Sequence, residues 1–74
     1  MPKTPRIIAD PRIMMGKPVI EDTRITVELI LTRLAEGRSV DDIVTEYPHL
    51  TRAQVTAAIE HARALVSHPA EAAE

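Results

Sequence analysis

The chain has 74 residues, of which 45% are hydrophobic and 27% charged, with no cysteine and a formal net charge of −2. This length fits one small domain, since domains seldom fall below about 50 residues. The absence of cysteine excludes a disulfide framework and a thiolate site, and the net negative charge argues against strong nonspecific attraction to nucleic acid. No apolar run approaches the roughly 18 residues of a membrane span and no signal-peptide pattern opens the sequence, so we expect a cytoplasmic protein.

Residues 1–26 carry four of the six prolines, and the segment 1–24 is the only basic part of the chain, with five basic and three acidic side chains. Proline opposes long helices, so we predict an extended arm. Residues 18–20 and 23–26 are typical of two short strands around a tight turn at Asp22, and residues 6–8 of a further short strand. Asp22 tolerates a left-handed backbone better than most residues.

The first helix is predicted to begin after Thr26 as N-cap and to end at Gly37, a residue suited to the left-handed position after a helix. Its core face has helical spacing and comprises Val27, Ile30, Leu31 and Leu34. Leu29 falls outside this face and is predicted to be a partner contact.

The second helix is predicted to start at Ser39 as N-cap, with Asp41 and Asp42 in its first turn. Its apolar side comprises Val40, Ile43, Val44 and Tyr47. Pro48 limits the helix to about two turns, because the residue before a proline avoids helical geometry.

The third helix has the clearest start signal. Thr51 and Gln54 have capping-box spacing, and Leu50 with Val55 has the spacing of a hydrophobic staple. An apolar stripe then continues to Val66, through Val55, Ala58, Ile59, Ala62, Leu65 and Val66. Residues 67–74 are predicted to be a flexible tail.

Three helices within 27–66, the last two joined by a short turn, predict a mainly α fold with a helix-turn-helix and a short amino-terminal β element. In that motif the first residues of the second helix reach base edges in the major groove. The DNA-binding candidates are therefore Thr51, Arg52, Gln54 and Thr56, with Arg24 and Lys17 of the arm as further contacts. The alternatives are a solvated helix face, and arm charges that only block edge pairing of strands.

A catalytic or metal site is not expected. The three histidines, His49, His61 and His68, lack the spacing of metal-ligand motifs, and the only glycines are Gly16 and Gly37, too few for a phosphate-binding loop. The sequence therefore predicts a protein that is not an enzyme and needs no cofactor.

Several segments resemble domain-of-unknown-function family 433 over about residues 6–66. They are Asp10-Pro11, residues 15–20 (MGKPVI), 23–27 (TRITV), 34–39 (LAEGRS), Ile43, 47–51 (YPHLT) and Val55. The resemblance implies a homeodomain-like helix-turn-helix with a short β element, encoded beside a PIN-like nuclease and acting as an antitoxin of a type II toxin-antitoxin module. The family usually has glycine where this chain has Asp22.

Two functions stay open at this point. The first is a homodimeric antitoxin-like regulator that binds operator DNA, with the residue 1–26 arm as its dimerisation element. The second is an interaction module that binds a nuclease without recognising DNA, because an acidic surface complements a basic, RNA-binding cleft. Its partner-binding candidates are Leu29, Glu28, Glu36 and Asp41.

Overall fold

The computed structural model describes residues 4–67 and contains three helices beside a two-stranded antiparallel sheet. The elements in chain order are β1 (Ile7–Ile8), β2 (Val19–Ile20), α1 (Val27–Ala35), α2 (Val40–Glu46) and α3 (Arg52–Val66), with a 3₁₀ turn at Met14–Gly16 between the strands. The fold is mainly α, as the sequence predicts.

The sheet of the arm differs from the predicted local hairpin. β2 pairs with β1, with Ile7 opposite Ile20 and Ile8 opposite Val19. The segment after the turn contributes only one isolated bridge, between Val19 and Thr26. The short strand predicted at residues 6–8 is confirmed as β1. It is this strand, and not the segment 23–26, that pairs with β2, a pairing across about eleven residues that local turn signals do not reveal.

Within the described part of the arm, residues 4–26, three residues that are not glycine have a left-handed backbone. At Asp22 φ is 69°, and the Thr23 amide closes the turn by donating to the Ile20 carbonyl at 3.0 Å, which confirms the predicted turn. Met14 and Met15, with φ of 49° and 60°, were not anticipated. Such conformations cost about 1 kcal/mol or more per residue, so the surrounding structure must hold them in place.

The first helix has the predicted ends. The Thr26 hydroxyl accepts from the Leu29 amide at 2.9 Å. After the last turn Gly37 has φ of 96°, its amide donates to the Leu34 carbonyl at 3.0 Å, and the Arg38 amide donates to the Arg33 carbonyl at 3.1 Å. This pair of hydrogen bonds is a Schellman motif, which satisfies carbonyls that the helix leaves unpaired.

The next two helices both begin with a capping box, formed by Ser39 with Asp42 and by Thr51 with Gln54. The second of these motifs confirms the prediction. Between the helices the Leu50 amide donates to the Tyr47 carbonyl at 2.8 Å, so a tight turn leads from α2 into α3.

One core joins the arm to the helices. α3 contacts α1, α2 and both strands. The buried cluster comprises Ile20, Val27, Ile30, Ile43, Leu50, Val55 and Ala58. Because Ile20 belongs to the arm, burial of its side chain ties the sheet to the helical core.

Apolar residues near the edge of the predicted stripes are exposed. Leu31, predicted on the core face of α1, is 40% exposed, whereas Leu29 is half-buried. Leu65 and Val66 are 64% and 83% exposed. The last α3 residue packed against the core is Ala62, so the final turn of the helix runs past the elements that bury its earlier residues.

Among residues 4–67, no helix combines the length and apolar character needed to cross a membrane. The same residues hold no cluster of three or more His, Asp or Glu side chains arranged for a metal ion.

Candidate nucleic-acid interface

The amino-terminal end of α3, from its N-cap Thr51 to Thr56, carries four of the predicted DNA contacts. Thr51, Arg52 and Thr56 are exposed, and Gln54 is half-buried. The Thr51 amide donates to Gln54 Oε1 at 2.8 Å and the Gln54 amide donates to Thr51 Oγ1 at 3.1 Å. These two side chains therefore hold the helix start in place, which leaves Arg52 and Thr56 as the side chains available to an outside ligand.

Arg52 forms an ion pair with Asp41 in the first turn of α2. The two side chains are 65% and 78% exposed, so water screens their attraction. The pair joins a predicted DNA contact to a predicted partner contact. A phosphate approaching Arg52 must compete with the Asp41 carboxylate. While this ion pair is intact, α3 therefore attracts DNA less strongly than a free arginine would.

The arm lies beside the start of α3. A surface groove is lined by Arg6, Glu21 and Asp22 on one side and by His49, Thr51 and Gln54 on the other. Arg6 Nη1 lies 3.8 Å from Glu21 Oε2. Arg6 was not among the predicted site residues, because its nearness to Thr51 depends on strand pairing that no local motif signals. His49, two residues before Thr51 in the chain, was not among them either.

The two arm cations of the predicted site occupy different places. Arg24 is exposed and lines a depression with Pro48 and His49, next to the turn into α3. Lys17 instead donates to Glu28 Oε1 at 2.8 Å, at the start of α1. Arg24 is the one Lys or Arg outside any ion pair among the residues that the structure describes.

The predicted acidic contacts are each paired with a basic side chain. Lys17 holds the pKa of Glu28 below its usual value through a hydrogen bond and the attraction of its charge. Glu36 accepts from Arg33 at 2.9 Å and from Arg38 at 2.6 Å. Asp41 pairs with Arg52, so the three carboxylates contact different cations. Leu29, the fourth predicted partner contact, is half-buried and therefore offers a partner less surface than the sequence suggests.

Two carboxylates near helix or turn starts are held ionised by hydrogen bonds. The Ser39 amide donates to Asp42 Oδ2 at 2.9 Å, and the hydrogen bonds with Ser39 lower the pKa of Asp42. Arg12 lowers the pKa of Asp10 in the arm in the same way. Both effects are structural, because each carboxylate stabilises a local backbone turn.

A family model described as "Protein of unknown function (DUF433)" matches residues 7–62. This range is more than half of the chain. The chain belongs to this family. The DUF433 match runs from β1 to the last α3 residue that packs on the core, so it contains the arm, the turn into α3 and the exposed first turn of that helix. No curated protein and no solved structure matches the chain.

Proposed function

We propose that this DUF433 chain is an antitoxin-like regulator of a type II toxin-antitoxin module, which acts in the cytoplasm, binds operator DNA as a homodimer and neutralises a PIN-like nuclease. The observation that carries the DNA-binding part is the exposed first turn of α3, which follows two-turn α2 and a tight turn. This order of elements supports a helix-turn-helix. The antitoxin role and the nuclease rest on the resemblance to the family.

The charges predict how such binding behaves. Three cations lie near the proposed contact: Arg52 on α3, Arg24 beside the turn into it, and Arg6 across the groove. Arg52 must leave Asp41 to reach a phosphate. A footprint of this size gives weak, salt-sensitive binding for one copy, and two copies on a two-fold operator double the number of contacts.

The direct test is a fluorescence-anisotropy titration of the protein with DNA from upstream of its own reading frame. Arg52→Ala should weaken binding by about tenfold or more, and the affinity should fall less steeply with salt because one cation no longer pairs with a phosphate. Arg63→Ala is the matched control, because Arg63 is an exposed arginine of the same helix, three turns further on, also paired with a carboxylate. Absence of wild-type binding at low salt would end the DNA-binding proposal.

Asp41→Ala tests whether this end of α3 meets DNA, which is the part of the function that the second candidate lacks. If α3 binds DNA, removing the competing carboxylate frees Arg52 and strengthens binding, because a negative charge near the phosphates is removed. If the residue instead contacts a basic nuclease, the same variant weakens that complex.

The second candidate is an interaction module that binds a nuclease through its acidic residues alone. It is favoured by the exposure of Glu28, Glu36 and Asp41, and by the pairing of Arg52 with Asp41. Coexpression with the nuclease from the neighbouring reading frame tests it. Copurification that Asp41→Ala weakens, in a protein that does not bind operator DNA, would favour this function over the first.

A further inference from the structure

An uncovered apolar face lies on the side of the molecule formed by α1 and the end of α3. We name it the α1/α3 face, and it comprises Leu31, Ala35, Ala62, Leu65 and Val66. Among residues 4–67, three of the five exposed large hydrophobic residues belong to it, and the other two are Met14 and Met15 of the arm. Leu31 with Ala35 and Ala62 with Val66 are each one helical turn apart, so each helix contributes an apolar ridge to the lining of one groove.

The α1/α3 face is close to electrically neutral. The ionisable side chains that line its groove are Glu28, which Lys17 neutralises at 2.8 Å, and His61. The segment 36–46 around α2 is different, because it carries four carboxylates and a single cation, Arg38. A two-fold interface places each patch against its own copy, so an acidic patch repels itself and a neutral apolar patch does not.

We propose that a second copy of this chain covers the α1/α3 face and forms a two-fold homodimer through Leu31, Leu65 and Val66. Charge favours this occupant: a basic nuclease cleft fits the acidic surface, whereas the neutral face meets its own copy without repulsion. The face also provides the apolar area that a small aliphatic core lacks. The interface therefore lies at the opposite end of α3 from its exposed first turn, and not on the strands of the arm.

This dimer sets the distance between the two α3 helix starts. From Gln54 to Leu65 a helix rises about 17 Å at about 1.5 Å per residue, so two helices meeting at their last turns place their first turns at most about 35 to 45 Å apart. Successive major grooves on one side of B-DNA are about 34 Å apart. The operator spacing rests on the proposed function, whereas the dimer itself does not.

The experiment measures the oligomeric state without DNA, by sedimentation equilibrium of the full chain over a range of concentrations. Leu65→Glu should raise the dissociation constant at least about a hundredfold, because a two-fold interface carries the substitution twice. Circular dichroism should stay unchanged, because Leu65 is already 64% exposed within one chain. Met15→Glu is the matched control: it introduces the same charge at a residue that is 92% exposed and off the face, and it should leave the dimer intact.

A cross-link gives the second measurement. The chain has no cysteine, so Val66→Cys introduces the only thiol, and oxidation should join two chains near the two-fold axis. Thr45→Cys, at an exposed residue of α2 away from this face, should form no disulfide-linked dimer in the same oxidation. A wild-type chain that remains monomeric at about 1 mM, or a dimer that Leu65→Glu leaves intact, would overturn the proposal. Neither result depends on whether the protein binds DNA.

Discussion

The arm and the three helices are stabilised in different ways. The helices begin and end with hydrogen bonds between residues three to five apart, as at Thr51 with Gln54 and at Gly37. The arm is held by pairing between β1 and β2, and its most buried residues, Val19 and Ile20, are 0% and 1% exposed. A two-stranded ribbon is marginal alone in water, so the arm depends on the helical core for its order.

The largest expected effect tests this dependence. Ile20→Ala should destabilise the whole domain by about 2–5 kcal/mol, because it removes a buried side chain shared by the sheet and the helices. That loss is comparable to the total stability of a domain of this size, so the variant should be largely unfolded by circular dichroism at 25 °C.

Ile43→Ala is the matched change in the helical core, since that side chain is fully buried in α2. The two variants should lose helical signal to a similar extent and in one transition. If Ile20→Ala left the thermal melting of the helices unchanged, the arm would be an independent appendage.

Substitutions at residues with a left-handed backbone should change the stability by a smaller amount, and one such residue in each region can be compared. Gly37→Ala should lower the free energy of unfolding by about 1 kcal/mol, because alanine resists the φ of 96°. An added Cβ would meet no atom within 4 Å, so backbone conformation alone accounts for the cost. Thermal melting should show a midpoint lower by about 4–8 °C.

Met15→Gly is the opposite change, in the arm. Glycine adopts the φ of 60° without strain, and the exposed methionine side chain gives up little burial, so stability should rise or stay the same. A large loss of stability in this variant would mean that the turn at Met14–Gly16 is held by contacts of the Met15 side chain.

The smallest expected effect is on pH dependence. The pKa of Asp42 is lowered in the folded chain, so its contribution to stability is complete above the ordinary aspartate pKa of 3.8 and disappears as the pH falls through the lower folded value. Asp42→Asn retains an oxygen that can accept from the Ser39 amide but no longer titrates, so its stability should vary less with pH below about 4.

Asp10→Asn makes the same comparison in the arm, where Arg12 lowers the pKa of the carboxyl. If the arm and the helices unfold together, the acid titration of the melting temperature should flatten for both variants. A flattening confined to Asp42→Asn would show that the turn at Asp10 is already open before the helices melt.

The sequence predicted the features that depend on near neighbours. Capping at Thr26, Ser39 and Thr51, the helix end at Gly37 and the left-handed turn at Asp22 all follow from residues a few positions apart. These signals were sufficient for three helices with close to the observed bounds.

Features that depend on distant residues were missed. The pairing of β1 with β2 and the ion pairs of Lys17 with Glu28 and of Arg52 with Asp41 join residues about eleven positions apart that carry no shared local pattern. Helical periodicity identified the apolar stripe of α3, but it does not reveal where the core ends along the helix. Leu65 lies on the predicted stripe but is 64% exposed.

Tyr47, which follows α2 and packs against the core, is the single aromatic residue of the chain. Its amide donates to the Ile43 carbonyl at 2.9 Å, and its own carbonyl accepts from Leu50 on the way into α3. Because the chain also lacks tryptophan, intrinsic fluorescence comes from this one phenol. Emission intensity and anisotropy therefore report on the turn between the two helices, so ligands that reach this corner of the molecule can be detected without a dye or a tag.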